Sequence, residues 1–233
     1  MRKQKLVIAS WVALGFPGAA FADGMPQQAA ESTGYYGAAR LIGAFDKINS
    51  MELTSPRVSG MIAGPKAKAR MTGSLALGYQ FGGGWRAEGE YVFKRSGEFD
   101  SYWAPFNANA NRFKVSSQRL MLNGYRDFDL GHGFSVYGTL GLGVAIISAD
   151  GWQGNPSRRF ASRTQTNLTY SAGAGVSYAI DKRFTLDVGY RYVDMGNVET
   201  SFNTFQNRIG ARDEQLKGRL ASNEVFVGVR GRF

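Results

Sequence analysis

From Leu220 to Phe233 the chain reads LASNEVFVGVRGRF, and apolar and polar positions alternate. Ala221, Val225, Val227, Val229 and Phe233 share one side, while Ser222, Glu224, Arg230 and Arg232 share the other with Phe226 and Gly228. A period of two predicts a β-strand lying between unlike environments. The same alternation predicts seven earlier strands, at 34–45, 67–81, 85–95, 113–128, 134–147, 164–179 and 183–193. In 67–81, Met71, Leu75, Leu77, Tyr79 and Phe81 alternate with Lys68, Arg70, Thr72, Ser74 and Gln80. In 85–95, Trp85, Ala87, Tyr91 and Phe93 alternate with Arg86, Glu88, Glu90 and Lys94. A soluble core would not accept those four charges, and a soluble exposed face would not need the aromatic partners.

The connections alternate in length. Those at 46–65, 96–112, 148–163 and 194–218 are long, whereas 82–84, 129–133 and 180–182 are short. This asymmetry predicts an all-β fold: an eight-stranded antiparallel up-and-down transmembrane β-barrel, with short periplasmic turns and long outer loops. A closed barrel leaves no unpaired backbone edge in lipid.

The amino terminus predicts export. Arg2, Lys3 and Lys5 precede the apolar run 6–15, and Ala20-Phe21-Ala22 forms a small-x-small cleavage site. The expected layout is a signal peptide over 1–22 cleaved after Ala22, a periplasmic tail over 23–33, and the barrel over 34–233. Composition sharpens this picture. There is no cysteine, so neither a disulfide framework nor a thiolate metal site is available. Glycine numbers 31 and aromatics reach 13%, in keeping with tight turns and aromatic belts. Mean hydropathy is −0.26, because alternation hides a lipid-facing surface from any average. The formal charge of +10 falls to +7 once Arg2, Lys3 and Lys5 leave. A basic exported chain points to phosphate-bearing lipid or glycan neighbours, and no nucleic-acid motif accompanies it.

The chain resembles the small eight-stranded outer-membrane protein family that includes the OmpA transmembrane domain and the Opa-type surface antigens. The resemblance rests on the signal ending AFA at 20–22, the phrases LMLNGYRDFDLG at 120–131 and LDVGYRYVDMG at 186–196, and the aromatic Phe233. Gly231 departs from the pattern, since a larger side chain is common there. The resemblance implies an outer-membrane location, lipopolysaccharide as a neighbour, and a terminal aromatic at Phe233 that the barrel-assembly machinery reads.

The expected lumen set is Arg40, Lys68, Arg70, Arg86, Glu88, Glu90, Lys94, Arg119, Asp127, Asp187, Arg191, Glu224, Arg230 and Arg232. An eight-stranded barrel is just wide enough for side chains to fill it. These residues are therefore expected to pair across the lumen as a charge plug. The alternative is a hydrated row of charges lining a narrow passive pore. Outer loops are the expected recognition surface: Phe99, Tyr102, Trp103 and Phe106 in one, and Trp152, Arg158, Arg159 and Arg163 in the next. Host or neighbouring-cell surfaces are the expected partners. Catalysis is not expected. His132, the sole histidine, lies in a Gly-His-Gly turn on the periplasmic side, and Glu88 and Glu90 are flanked by cations. No His/Cys metal spacing exists and no cofactor is expected. A soluble calyx would need an apolar lumen, which the charged face denies.

Overall fold

The computed structural model describes residues 33–54, 68–103, 106–207 and 209–233, with side chains from 101 to 110 left aside. The expected signal peptide and most of the tail fall outside the described residues. The strands are β1 (Gly34–Thr54), β2 (Lys68–Gln80), β3 (Trp85–Trp103), β4 (Phe106–Gly131), β5 (Phe134–Gln153), β6 (Arg159–Ala179), β7 (Phe184–Glu199) and β8 (Gln215–Arg232). Each pairs antiparallel with the next, and β1 pairs with β8, so the sheet closes into a barrel. All four ladders joining β5 through β8 to β1 start at the short-turn end, where Gly34, the turns and Phe233 gather. By the asymmetry of the connections this end is periplasmic.

The strands match the sequence reading near their periplasmic ends, and all but β2 overrun it at their outer ends. β1 continues past 45 to Thr54, β3 past 95 to Trp103, and β4 begins at Phe106 rather than at 113. Much of what was expected to be loop is therefore paired sheet.

Two surfaces result. Around the wall, Tyr35, Leu41, Phe45, Leu75, Leu77, Leu120, Leu122, Leu140, Leu142, Leu168, Val227 and Val229 are exposed, a continuous apolar belt. From Tyr35 to Phe45 it spans about 25 Å once strand tilt is included. Inside that belt lie the buried charged side chains, together with a smaller apolar and aromatic cluster of Ile42, Ala44, Val92, Tyr125, Tyr137 and Phe226. Beyond it the arrangement reverses. Ile48, Met51, Leu53, Phe99, Phe113, Val115, Ile147, Phe160, Met195, Leu216 and Leu220 form one buried cluster inside the outer half. Lys47, Ser96, Glu98 and Lys114 occupy the exposed face there. The outer half is thus built like a water-soluble barrel set on top of a membrane one.

One ladder is short. β2 pairs with β3 only from Ser74↔Val92 to Gln80↔Arg86. Above that, β2 pairs only with β1, and β3 only with β4, among the described residues. The last link is a hydrogen bond from Thr72 Oγ1 to the Phe93 carbonyl, 3.0 Å. The cause lies in β3, where the register against β4 shifts between Val92 and Arg95. Such a bulge bends its strand and sharpens the twist, carrying β3 away from β2.

Candidate functional site

The lumen inside the belt holds two neutral clusters of arginines and carboxylates. In the larger, Arg40 Nη2 lies 2.8 Å from Glu88 and Nη1 lies 3.4 Å from Glu90. Arg191 bridges Glu90 at 2.6 Å and Glu224 at 2.8 Å. Glu224 also receives Arg119 at 2.8 Å and Arg95 at 3.0 Å, and Arg95 reaches Asp46 at 2.7 Å. Four guanidiniums thus face four carboxylates, contributed by β1, β3, β4, β7 and β8. Tyr125 donates to Glu88 at 2.6 Å, and Asn123 donates to Glu90 at 2.9 Å. Nearer the periplasm, Arg86 grips Asp127 through Nε at 2.8 Å and Nη2 at 3.2 Å. Arg230 lies 3.3 Å from Asp187, which also accepts from Ser177 at 2.6 Å. The guanidinium of Arg86 sits 3.9 Å from the centroid of the Tyr125 ring.

Every cation in both clusters is arginine. The planar fork satisfies two carboxylate oxygens at fixed angles, whereas lysine offers a point charge. That matters here because Glu90 and Glu224 are wholly buried, and an ion buried without partners costs several kcal/mol. Small residues make room for the large ones. A Cβ built on Gly189 would stand 2.5 Å from Tyr137 Oη and 2.6 Å from Phe226 Cζ, so only glycine lets both rings lie across the lumen.

Several expected positions differ. Lys94 faces outward and is exposed, because the β3 bulge shifts the alternation by one and turns Arg95 inward in its place. Lys68 and Arg70 lie at the outer rim of β2 and take no part in the clusters; Arg70 Nη1 donates to the Ala69 carbonyl at 3.1 Å. Arg232 sits at the periplasmic mouth, its N–H donating to the Arg183 carbonyl at 2.9 Å. Arg95 and Asp46 are lumen partners that the sequence reading missed, whereas Tyr36, Asn123 and Tyr125 lie on faces that alternation turns inward and join the clusters as neutral partners.

The expected loop contacts are also redistributed. Phe99 is not a loop tip: it is buried in the outer apolar cluster. Tyr102, Trp103 and Phe106 fall in β3 and β4 rather than in a loop, and their side chains lie outside the described residues. Trp152 is half-buried on β5, its ring 5.1 Å from Arg112. Arg158 stacks 4.1 Å over Phe205 and donates to Gln153 at 3.1 Å. Arg159 is exposed and donates to the Pro156 carbonyl at 2.9 Å, while Arg163 pairs with Glu199 at 2.7 Å. Phe233 is 81% exposed at the foot of the belt, and its N–H donates to the Tyr35 carbonyl at 3.2 Å. His132 is exposed in the β4–β5 turn with φ of 55°. Among the described residues no three His, Asp or Glu side chains converge on a metal-sized site.

The open seam between β2 and β3 leaves a groove of about 390 Å³ lined by Lys68, Arg70, Ser96, Gly97, Glu98, Asp100, Arg112 and Lys114. Arg112 engages Asp100 at 2.8 Å and Glu98 at 3.6 Å.

A closed antiparallel ring, apolar outside and ionic inside over one bilayer's thickness, defines an outer-membrane β-barrel. The chain belongs to the outer membrane protein beta-barrel domain family, whose family model matches residues 14–212. It is 26% identical to outer membrane protein PagN of Salmonella typhimurium over 197 residues, covering 78% of this chain and 81% of PagN. It is 24% identical over 176 residues to an adhesin candidate of Rickettsia bellii, covering 71% and 76%. Among solved structures it resembles OprG of Pseudomonas aeruginosa, with a TM-score of 0.56 at 12% identity, covering 86% of this chain and 96% of OprG. The protein is therefore a surface β-barrel of the Gram-negative outer membrane.

Proposed function

We propose that the protein is a non-conducting, non-catalytic scaffold that works at its outer end, in attachment to a host or neighbouring cell surface. The observation that carries this reading is the stacking inside the barrel. Two neutral ion-pair clusters lie within the belt, and an apolar core lies above them, with Arg119, Glu90, Phe113 and Met195 all essentially without solvent contact. A continuous water path would have to cross both layers. The outer half, paired and filled, then forms a rigid platform that carries the outer tips clear of the lipid. The kinship with adhesin candidates of two Rickettsia species supports attachment as the task.

Two measurements test the two parts. In planar bilayers the refolded protein should give no stable steps of porin-like conductance; such steps would reject the closed lumen in favour of a narrow pore. Cells expressing a variant trimmed at the β3–β4 tip and at residues 154–158 should bind host cells less than cells with the intact barrel. Undiminished binding at equal surface expression would discard attachment through these tips.

A further inference from the structure

The groove at the β2–β3 fork is not explained by the closed lumen. It collects cations from two strands, and their partners are unevenly shared. Both of its carboxylates, Glu98 and Asp100, are engaged by Arg112. Lys68, Arg70 and Lys114 form no ion pair among the described residues. Arg70 is the most telling of them. Its Nε is buried without a hydrogen-bond partner, although the side chain as a whole is only half-buried. The guanidinium lies against Gly97, where a Cβ would stand 3.3 Å from Nε. The height of the groove matters as much as its charge. Arg70 directly follows the belt toward the outside, one residue beyond the lipid-exposed Met71, and Ser96 lies three residues beyond the exposed Phe93. The groove therefore opens where hydrocarbon gives way to headgroups.

We propose that the β2–β3 fork is a seat for the phosphate groups of outer-leaflet lipopolysaccharide, held by Lys68, Arg70 and Lys114. The chemistry favours a lipid over a soluble polyanion. A headgroup phosphate already resides at this depth, and a membrane-bound ligand reaches the fork without leaving the leaflet. Cations placed near an anionic membrane surface each add a modest, additive attraction. The bulge that opens the seam is then what turns a sheet edge into a binding site: with β2 and β3 fully zipped, the Arg70 guanidinium could not enter the gap. This goes beyond the closed-lumen reading, and conductance is indifferent to it, so each can fail alone.

The test uses full-length protein refolded in zwitterionic detergent and mixed with phosphorylated lipid A, with bound lipid counted by native mass spectrometry. The wild type should retain the phosphorylated lipid and bind its dephosphorylated form far more weakly. Replacing Lys68, Arg70 and Lys114 together by Gln should lower retention on the order of a hundredfold, while Lys68→Arg with Lys114→Arg should keep it. Heat-modifiable gel migration reports whether each variant is folded. Should the triple variant fail to fold, Arg70→Gln alone removes the cation at the centre of the groove while leaving the lumen clusters intact, and it should weaken retention as well. Wild-type retention by the folded variants, or equal retention of the dephosphorylated lipid, would overturn the proposal. So would inorganic phosphate or a soluble sulphated oligosaccharide binding at the fork as tightly as the lipid.

Discussion

The two halves of this barrel solve opposite problems with one sheet. Inside the belt, leucine and valine meet hydrocarbon, and arginine–carboxylate pairs span the lumen between a few buried rings and aliphatic side chains. Above the belt, lysine and serine meet water, and phenylalanine, isoleucine and methionine fill the centre. The hydrogen-bonded wall runs through both, broken among the described residues at the β2–β3 seam of the outer half. What changes is the solvent, and with it the side of the sheet on which an apolar residue gains by leaving water. The difference also sets how each half fails. The ionic half depends on exact partnering, because one missing carboxylate strands several cations. The apolar half depends on volume, because a lost ring leaves a cavity.

The largest effect should come from the ionic half. Glu224→Ala removes the shared partner of Arg95, Arg119 and Arg191 and should cost about 3–5 kcal/mol, read by urea unfolding from lipid vesicles. A cost below 1 kcal/mol would mean that the cluster is already hydrated. In the apolar half, Phe113→Ala should cost about 3 kcal/mol and loosen the outer end while leaving the belt's protection from hydrogen exchange intact. Loss of protection in both halves together would show that they are a single cooperative unit. A matched pair of outward substitutions compares the solvents directly. Leu122→Arg should cost about 2 kcal/mol or more, whereas Ser116→Arg on the same face of β4 should stay within about 0.5 kcal/mol. Removing the exposed Arg163–Glu199 pair by Arg163→Ala should cost about 0.5 kcal/mol.

The smallest effect belongs to the β6–β7 turn. Asp181 accepts N–H bonds from Phe184 and from Arg183, both at 2.7 Å, and these hold its carboxyl below the ordinary carboxylate range. A carboxyl held low in the fold contributes stability that is present above the unfolded carboxylate range and lost as pH falls through its lowered value. The Phe184 amide resonance should therefore shift with a midpoint below that range, and Asp181→Asn should abolish the shift. A midpoint at the ordinary value would show that the turn bonds do not form.

The strand count, the closure and the periplasmic ends were legible because the belt forces alternation of one sense: apolar out, polar in. The outer ends were not, because the sense reverses there while the period stays at two. Phe93 and Phe99 show the difficulty. They share parity in the sequence, yet Phe93 faces lipid and Phe99 lies in the core. The bulge between Val92 and Arg95 separates them, and period alone cannot reveal a bulge. The same step exchanged Lys94 for Arg95 as the inward cation. Asp46 was missed for a related reason, since it follows the last belt residue of β1 and reads as the start of a loop. The acidic partners Glu88, Glu90, Asp187 and Glu224 sit well within the belt, where alternation is unambiguous. The signal available for Arg95 was its chemistry: every cation that enters the lumen clusters is arginine.

The reversal of sidedness is the claim on which the rest depends, and one scan tests it. Spin labels placed singly from Arg112 to Leu122 on β4, in vesicles, report collision with oxygen in lipid and with a nickel chelate in water. Labels at 120 and 122 should collide with oxygen, labels at 114 and 116 with nickel, and labels at 113 and 115 should be immobile and reached by neither. Nickel collisions at 113 and 115, or oxygen collisions at 114 and 116, would contradict the account.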